Sequence, residues 1–216
     1  MDYQALKSRQ RLERESHPPN LALRVHRALS WLNRAEQLAA DLDGQFIFLW
    51  IAFNAAYATD LDEKYRASER ATFRDFLQKL LGLDKRKTIE QLVWEQFSGS
   101  IRLLLDNRYI YQDFWDYRNG KLTEEQCRRR FGDANKAAGA ALVQRDTATV
   151  LSIVLSRLYT LRNQLMHGGA TWNSSVNRNQ VKDGANLLGK LVPLVIEIMM
   201  DNVDTLWGDA CYPVVD

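Results

Sequence analysis

Apolar side chains recur every three or four residues along most of this chain, which is the period of an amphipathic α-helix. The pattern predicts helices over 21–43, 45–60, 68–81, 88–97, 100–117, 147–167 and 174–206. No stretch of useful length alternates between apolar and polar positions as a half-buried strand does. The sequence therefore predicts an all-α fold.

Capping and helix-breaking residues predict where these helices begin and end. The predicted signals are Gly44 at the end of the first helix, a Thr88–Gln91 capping box, Asp146 or Thr147 before the sixth helix, Asn173 or Ser174 before the seventh, and Pro193 within it. Because proline lacks a backbone N–H, we expect it to kink the last helix.

The segment 45–60 is apolar on nearly every side, which predicts a buried central helix. Asn54 is the polar exception. It is either a core asparagine bonded to a neighbouring helix or a residue beside a functional cleft.

With 216 residues, 46% hydrophobic and 26% charged, the chain fits one globular domain with an insertion. We expect a charged N-terminal arm or solvated helix over 1–19 and a helical domain over 20–207. Residues 118–146 differ in character and predict an insertion or a loosely packed helical hairpin. Residues 208–216 are expected to form a loose tail.

The net charge of +2, from 29 basic and 27 acidic residues, is too small to indicate nucleic-acid binding. An RNA contact would have to come from local clustering. Arg128, Arg129 and Arg130 are the candidate phosphate contacts, with a solvated charged face as the alternative. The aromatic residues between 109 and 117 could stack bases, or pack in the core or a dimer interface.

Several functional classes are disfavoured. Cys127 and Cys211 have no metal-ligand spacing, and a reducing compartment is the better expectation. His17 and His26 have no plausible metal partner nearby, so neither a metal site nor another cofactor is predicted. The apolar run in 46–58 is shorter than the roughly 20 residues that span a bilayer. We therefore expect a cytoplasmic protein that does not use a membrane.

The candidate chemistry lies at the end of the sixth predicted helix, where Arg162, Asn163 and His167 precede Gly168-Gly169. The glycines should end the helix near His167. Asn163 and His167 share a helix face, whereas Arg162 lies about 140° around it. One helix therefore does not aim Arg162 and His167 at one small target, but two copies facing each other could.

Histidine titrates near neutral pH and transfers protons, and arginine grips phosphate with a planar fork. These two side chains suit metal-free RNA cleavage by the neighbouring 2′-hydroxyl. In that reading, the Asn163 amide orients His167 or contacts the phosphate.

The arrangement resembles the R-x-x-x-x-H signature of the HEPN superfamily, and 45–57 resembles the hydrophobic early helix of its Apea-like branch. The resemblance covers most of 21–205, although 118–146 has no counterpart. It implies a dimeric HEPN-like helical bundle and a metal-independent endoribonuclease with Arg162, Asn163 and His167 as catalytic residues. The products would carry 2′,3′-cyclic phosphate ends. Such a protein would act on RNA as a toxin or an anti-phage defence protein, with an antitoxin or defence protein as a possible partner.

A different class of function remains open. Arg162 could pair internally and His167 could merely cap its helix. The chain would then be a catalytically inactive HEPN-like module that dimerises or binds a nucleotide or protein partner.

Overall fold

The computed structural model describes residues 2–57 and 69–210, and its regular elements there are helices, which confirms the all-α prediction. The α-helices are α1 (Tyr3–Glu13), α2 (Pro19–Glu36), α3 (Leu42–Tyr57), α4 (Glu69–Leu83), α5 (Thr88–Gln91), α6 (Ser98–Asp106), α7 (Gln112–Arg118), α8 (Glu124–Val143), α9 (Thr147–Met166) and α10 (Arg178–Asp201). Short turns of other helix types lie at Arg14–Ser16, Leu92–Gln96 and Arg108–Ile110.

The chain divides into two compact units, each built from separate stretches. Of the described residues, the first unit holds 2–57, 79–89 and 184–210, and the second holds 69–78 and 90–183. The predicted boundaries at 19, 118, 146 and 207 stay predictions.

Helix α3 forms the centre of the first unit, as its all-round apolar pattern predicts. Phe46, Trp50 and Phe53 are at most 1% exposed. Every other residue of α3 is buried or half-buried. A helix without an exposed side needs packing partners all round, and α2 lies directly against it.

The prediction that Gly44 ends the first helix is wrong. The helix ends at Glu36, and Gly44 lies in the first turn of α3. Its N–H donates to Oδ1 of Asp41 at 3.1 Å, so Asp41 is the cap. A Cβ at position 44 would lie 2.8 Å from Oδ2 of the same carboxylate. Glycine therefore makes room for the cap instead of breaking the helix.

The two ends of the first unit are held more firmly than their composition predicts. Tyr3–Glu13 forms a helix, which is one of the two alternatives predicted for this segment, and its Leu6 is completely buried, so the helix is anchored and is not a mobile arm. The buried Arg24 donates to the backbone oxygens of Ala56 at 2.8 Å and Asp209 at 2.6 Å. Residues 208–210 are therefore not loose, while the remainder of the predicted tail lies outside the described residues.

The predicted Thr88–Gln91 capping box at the start of α5 is wrong. Asp84 supplies the cap, because its Oδ2 accepts from the N–H of Ile89 at 2.8 Å and the Thr88 hydroxyl donates to the same carboxylate. The carboxylate of Asp84, which precedes Lys85, Arg86 and Lys87, thus replaces the expected box.

Helix α9 forms the centre of the second unit. Between Thr147 and Leu161 all residues except Thr149, Ser156 and Tyr159 are buried. Asp146 caps the helix as predicted, with the N–H of Thr149 donating to its Oδ1 at 3.0 Å. Hydrogen bonds from Thr149 lower the pKa of the Asp146 carboxyl.

Three further predictions need correction, two of them in the second unit. The predicted helix 100–117 is broken by the turn Arg108–Ile110, where Asn107 Oδ1 accepts from the N–H of Tyr109 at 2.8 Å. Residues 118–146 contain a single long helix, α8, and not a hairpin. Thr123 and Gln126 form a complete capping box at its start. The last helix, α10, begins later and ends earlier than predicted and contains Pro193.

Candidate functional site

The motif helix ends in a Schellman motif. His167 is the cap residue, and Gly168 follows in the left-handed region at φ 70°. The N–H of Gly168 donates to Leu165 O at 3.3 Å, and the N–H of Gly169 donates to Gln164 O at 2.7 Å. The prediction that the two glycines end the helix at His167 is confirmed.

The imidazole of His167 is exposed. Its backbone N–H donates to Asn163 O at 3.0 Å, which fixes where the side chain leaves the helix. Within the described residues, its ring nitrogens have no hydrogen-bond or ion-pair partner. The ring is therefore open to a ligand.

Arg162 is half-buried, and its Nη1 donates to the side-chain oxygen of Asn163 at 2.9 Å. Its Cζ also lies 5.9 Å from the centre of the Tyr159 ring. Asn163 thus contacts both predicted catalytic residues, Arg162 through its amide and His167 through its carbonyl. The expectation that the Asn163 amide orients His167 or contacts the phosphate stays a prediction.

Gln164 is a positioning residue that the sequence does not reveal. Its Nε2 donates to Tyr109 O at 2.7 Å, and its Oε1 accepts from Asn177 Nδ2 at 2.8 Å. Trp115 Nε1 donates to the same Tyr109 oxygen at 2.8 Å. Gln164 therefore ties the motif helix to the turn after α6 and to the loop before α10. Side-chain hydrogen bonds between residues this far apart in the chain leave no recognisable pattern in the sequence.

A second arginine of α9 is buried and does not lie at the surface. Arg157 is 3% exposed, and its Cζ lies 4.1 Å from the centre of the Tyr111 ring and 5.7 Å from that of Phe131. The aromatic segment 109–117 is thus used partly for packing. Tyr109, in contrast, keeps 45% of its surface exposed.

The arginine triplet lies on the first half of α8. All three side chains are exposed. Arg130 Nη1 lies 3.5 Å from Asp113 Oδ2, which also accepts from the Tyr111 hydroxyl at 3.1 Å. Burial is the main cause that raises the pKa of Tyr111 to about 12, so it remains a donor at neutral pH. Arg128 and Arg129 are the better phosphate candidates, and that role stays a prediction.

Asn54 is half-buried on α3 and belongs to the first unit, whereas Arg162, Asn163 and His167 belong to the second. Its predicted place beside a catalytic cleft stays a prediction. Across 2–57 and 69–210, no group of three histidine, cysteine or carboxylate side chains has the arrangement of a metal site.

Exposed apolar side chains lie within the motif and in the segment that follows it. Met166 is 52% exposed, Trp172 73% and Val176 63%. Exposed apolar residues are typical of interaction surfaces where they form one contiguous patch.

No family model, curated protein or solved structure matches the chain. In the part of the chain that the structure describes, no helix combines the length and the apolar character needed to cross a membrane.

Proposed function

We propose that this chain is a metal-independent endoribonuclease of the HEPN type that works as a homodimer. The observation that carries the proposal is the exposed His167 imidazole, which has no partner among the described residues and lies at the end of the helix that carries the Arg162–Asn163 pair. The site stands on a buried helix, so these side chains are presented from a rigid support.

The reaction uses the RNA's own 2′-hydroxyl. A neutral His167 takes the proton from this hydroxyl, and the 2′-oxygen forms a bond to phosphorus. A protonated His167 gives a proton to the departing 5′-oxygen as the P–O5′ bond breaks. The products are a 2′,3′-cyclic phosphate and a 5′-hydroxyl.

The two proton transfers call for two histidines, and each chain has one at this site. A second copy supplies the other. Met166, Trp172 and Val176, which lie within and shortly after the motif in the sequence, provide exposed apolar surface for such an association. A two-fold arrangement also resolves the offset between Arg162 and His167 on one helix, since each side of the cleft can contribute a different residue.

Arg162 would bind the scissile phosphate. A guanidinium has five N–H donors, and the bond to Asn163 uses one of them. The remaining donors suit the charge that builds on the pentavalent phosphate. Arg128 and Arg129 would hold the strand through its backbone, and no cofactor takes part.

In this proposal the enzyme acts in the cytoplasm as a toxin or anti-phage defence protein, with RNA as substrate and an antitoxin or defence protein as partner. Incubation of the purified chain with total RNA in EDTA, followed by analysis of the ends, tests it. We expect cleavage with cyclic phosphate ends. Cleavage that stops with EDTA would refute the metal-free mechanism.

One observation favours a second function. The Arg162 guanidinium already bonds within its own chain, to Asn163. If that bond persists when RNA is present, the chain is a catalytically inactive module that dimerises or binds a nucleotide or protein. RNA binding without cleavage by the wild-type dimer would favour this function.

A further inference from the structure

A pocket of about 460 Å³ lies in the second unit. One wall is formed by the end of α6 and the turn after it, with Leu103, Asp106, Arg108 and Tyr109, and the other by the first turns of α10, with Gln180 and Asp183. Its volume lies in the range of about 300–1,000 Å³ that is usual for small-molecule sites.

Both walls are tied to the motif helix by Gln164. Its amide nitrogen bonds Tyr109 O, and its amide oxygen bonds Asn177, one residue before α10. Gln164 directly follows the Arg162–Asn163 pair. The pocket walls are therefore joined to the helix on which that pair lies.

The charge of the pocket argues against a phosphate as its occupant. Asp106 and Asp183 carry two negative charges against the single positive charge of Arg108. Asp106 Oδ1 accepts from Asn135 at 3.3 Å, and Asp183 Oδ1 accepts from Ser100 at 3.2 Å. In the described part of the chain, no bond reaches either Oδ2. The occupant should be neutral and should present hydrogen-bond donors.

The remaining lining suits a flat ring. Tyr109 is 45% exposed, and the Arg108 Cζ lies 5.0 Å from the centre of its ring. Leu103 adds an apolar surface that is 66% exposed. Proteins recognise single-stranded RNA by stacking bases on aromatic rings and guanidinium planes and by bonding the base edges.

We propose that this pocket binds a guanine base of the RNA strand held at the Arg162/His167 site. Of the four bases, only guanine presents two adjacent donors on its Watson–Crick edge, N1–H and the N2 amino group. A carboxylate accepts both together. The inference rests on the proposed function, and it adds a base preference to that function.

The test measures binding without cleavage. Short oligouridine strands with 2′-fluoro sugars lack the attacking hydroxyl and carry one central guanosine, inosine, adenosine or uridine. Fluorescence anisotropy with the full chain in EDTA gives each Kd. We expect the guanosine strand to bind about tenfold more tightly than the adenosine and uridine strands. The inosine strand should lie between them, since it lacks the N2 amino group.

The double variant Asp106→Asn, Asp183→Asn should lose the preference for guanosine and keep its affinity for the uridine strand. The control Glu125→Gln removes an exposed carboxylate of α8 outside the pocket and should keep the preference. Unfolding curves of the three proteins verify that each is folded.

Equal binding of the guanosine and adenosine strands, or a preference that survives in the double variant, would overturn the pocket assignment. So would the absence of binding to every strand. Cleavage of total RNA is scored separately. Cleavage without a guanosine preference rejects the pocket alone, and a guanosine preference without cleavage rejects the nuclease alone.

Discussion

The Arg162 guanidinium and the Asn163 amide oxygen form a 2.9 Å hydrogen bond between adjacent residues of α9. Residues next to each other on a helix normally point in directions about 100° apart. The bond therefore requires the two side chains to converge across this angle, and Asn163 shares its helix face with His167. The bond links Arg162 to the residue whose backbone carbonyl also accepts from the N–H of His167.

The variant Asn163→Ala tests this bond. Without the amide oxygen the guanidinium loses its anchor, so cleavage should fall by about tenfold or more while the melting temperature changes little. Asn186→Ala, at an exposed position of α10, is the control and should cleave normally. A large loss of stability in Asn163→Ala would instead identify Asn163 as a structural residue.

The variant His167→Ala should abolish cleavage and preserve the fold. Loss of a proton-transfer group costs about 10²–10⁴ in rate, whereas an exposed substitution changes stability by about 0.5 kcal/mol. A fluorescent RNA in EDTA reports cleavage and circular dichroism reports the fold. His26→Ala replaces another exposed histidine as control. Undiminished cleavage by His167→Ala would remove the histidine from the mechanism.

Glycine at 168 is required by backbone geometry. At φ 70° an alanine costs about 1–2 kcal/mol, so Gly168→Ala should lower the free energy of unfolding by that amount and shift His167. Gly139→Ala is the matched control, since Gly139 lies in the interior of α8 and a Cβ there meets nothing within 4 Å. It should stabilise by about 0.5–1 kcal/mol. Urea unfolding measures both, and equal effects would contradict the strain argument.

The two bonds of Gln164 can be separated by two substitutions. Gln164→Glu keeps the acceptor for Asn177 but loses the donor to Tyr109 O, and Gln164→Leu loses both. Each lost bond should cost about 1 kcal/mol in urea unfolding. Gln91→Leu, at an exposed position, is the control. If Gln164→Leu is as stable as the wild type, Gln164 does not hold the pocket walls.

His17 should make the stability of the protein depend on pH. Its side chain is fully buried, and in the described structure both ring nitrogens lack a hydrogen-bond partner. Burial lowers the pKa of His17 below 6.5; the charge of Arg9 also lowers it, and Glu13, 3.9 Å away, raises it. The unfolded state therefore binds the proton more readily. Stability should fall as the pH drops below about 6.5, by at most about 1.4 kcal/mol per pH unit.

The variant His17→Phe fills the same space without a titrating group and should flatten this part of the pH profile of the free energy of unfolding. His26→Gln, on the exposed side of α2, should leave the profile unchanged. An identical pH profile in His17→Phe and the wild type would exclude His17 as the cause.

The sequence predicts those features of the fold that depend on nearby residues. The central apolar helix, the Asp146 cap and the end at Gly168 follow from periodicity and capping within a few positions. The breaks after Glu36 and at Arg108–Ile110 do not, because apolar residues continue at helical spacing across both.

The site divides in the same way. Arg162, Asn163 and His167 are recognisable because their spacing and the following glycines are local. The bonds of Gln164 to Tyr109 and Asn177 depend on how segments that are distant in the chain pack together, so no short sequence pattern predicts them. The burial of Arg157 depends on Tyr111 and Phe131 in the same manner.

The burial of Arg157 determines how alanine substitutions of arginines in this protein should be interpreted. Arg157 lies five residues before Arg162 on the same helix, yet its charge is enclosed by aromatic rings. Replacing it with alanine would empty a space inside the second unit and loosen α8 from α9. RNA cleavage would then fall because less protein is folded. An inactive Arg157→Ala is therefore no evidence of contact with RNA unless its folded fraction is measured first.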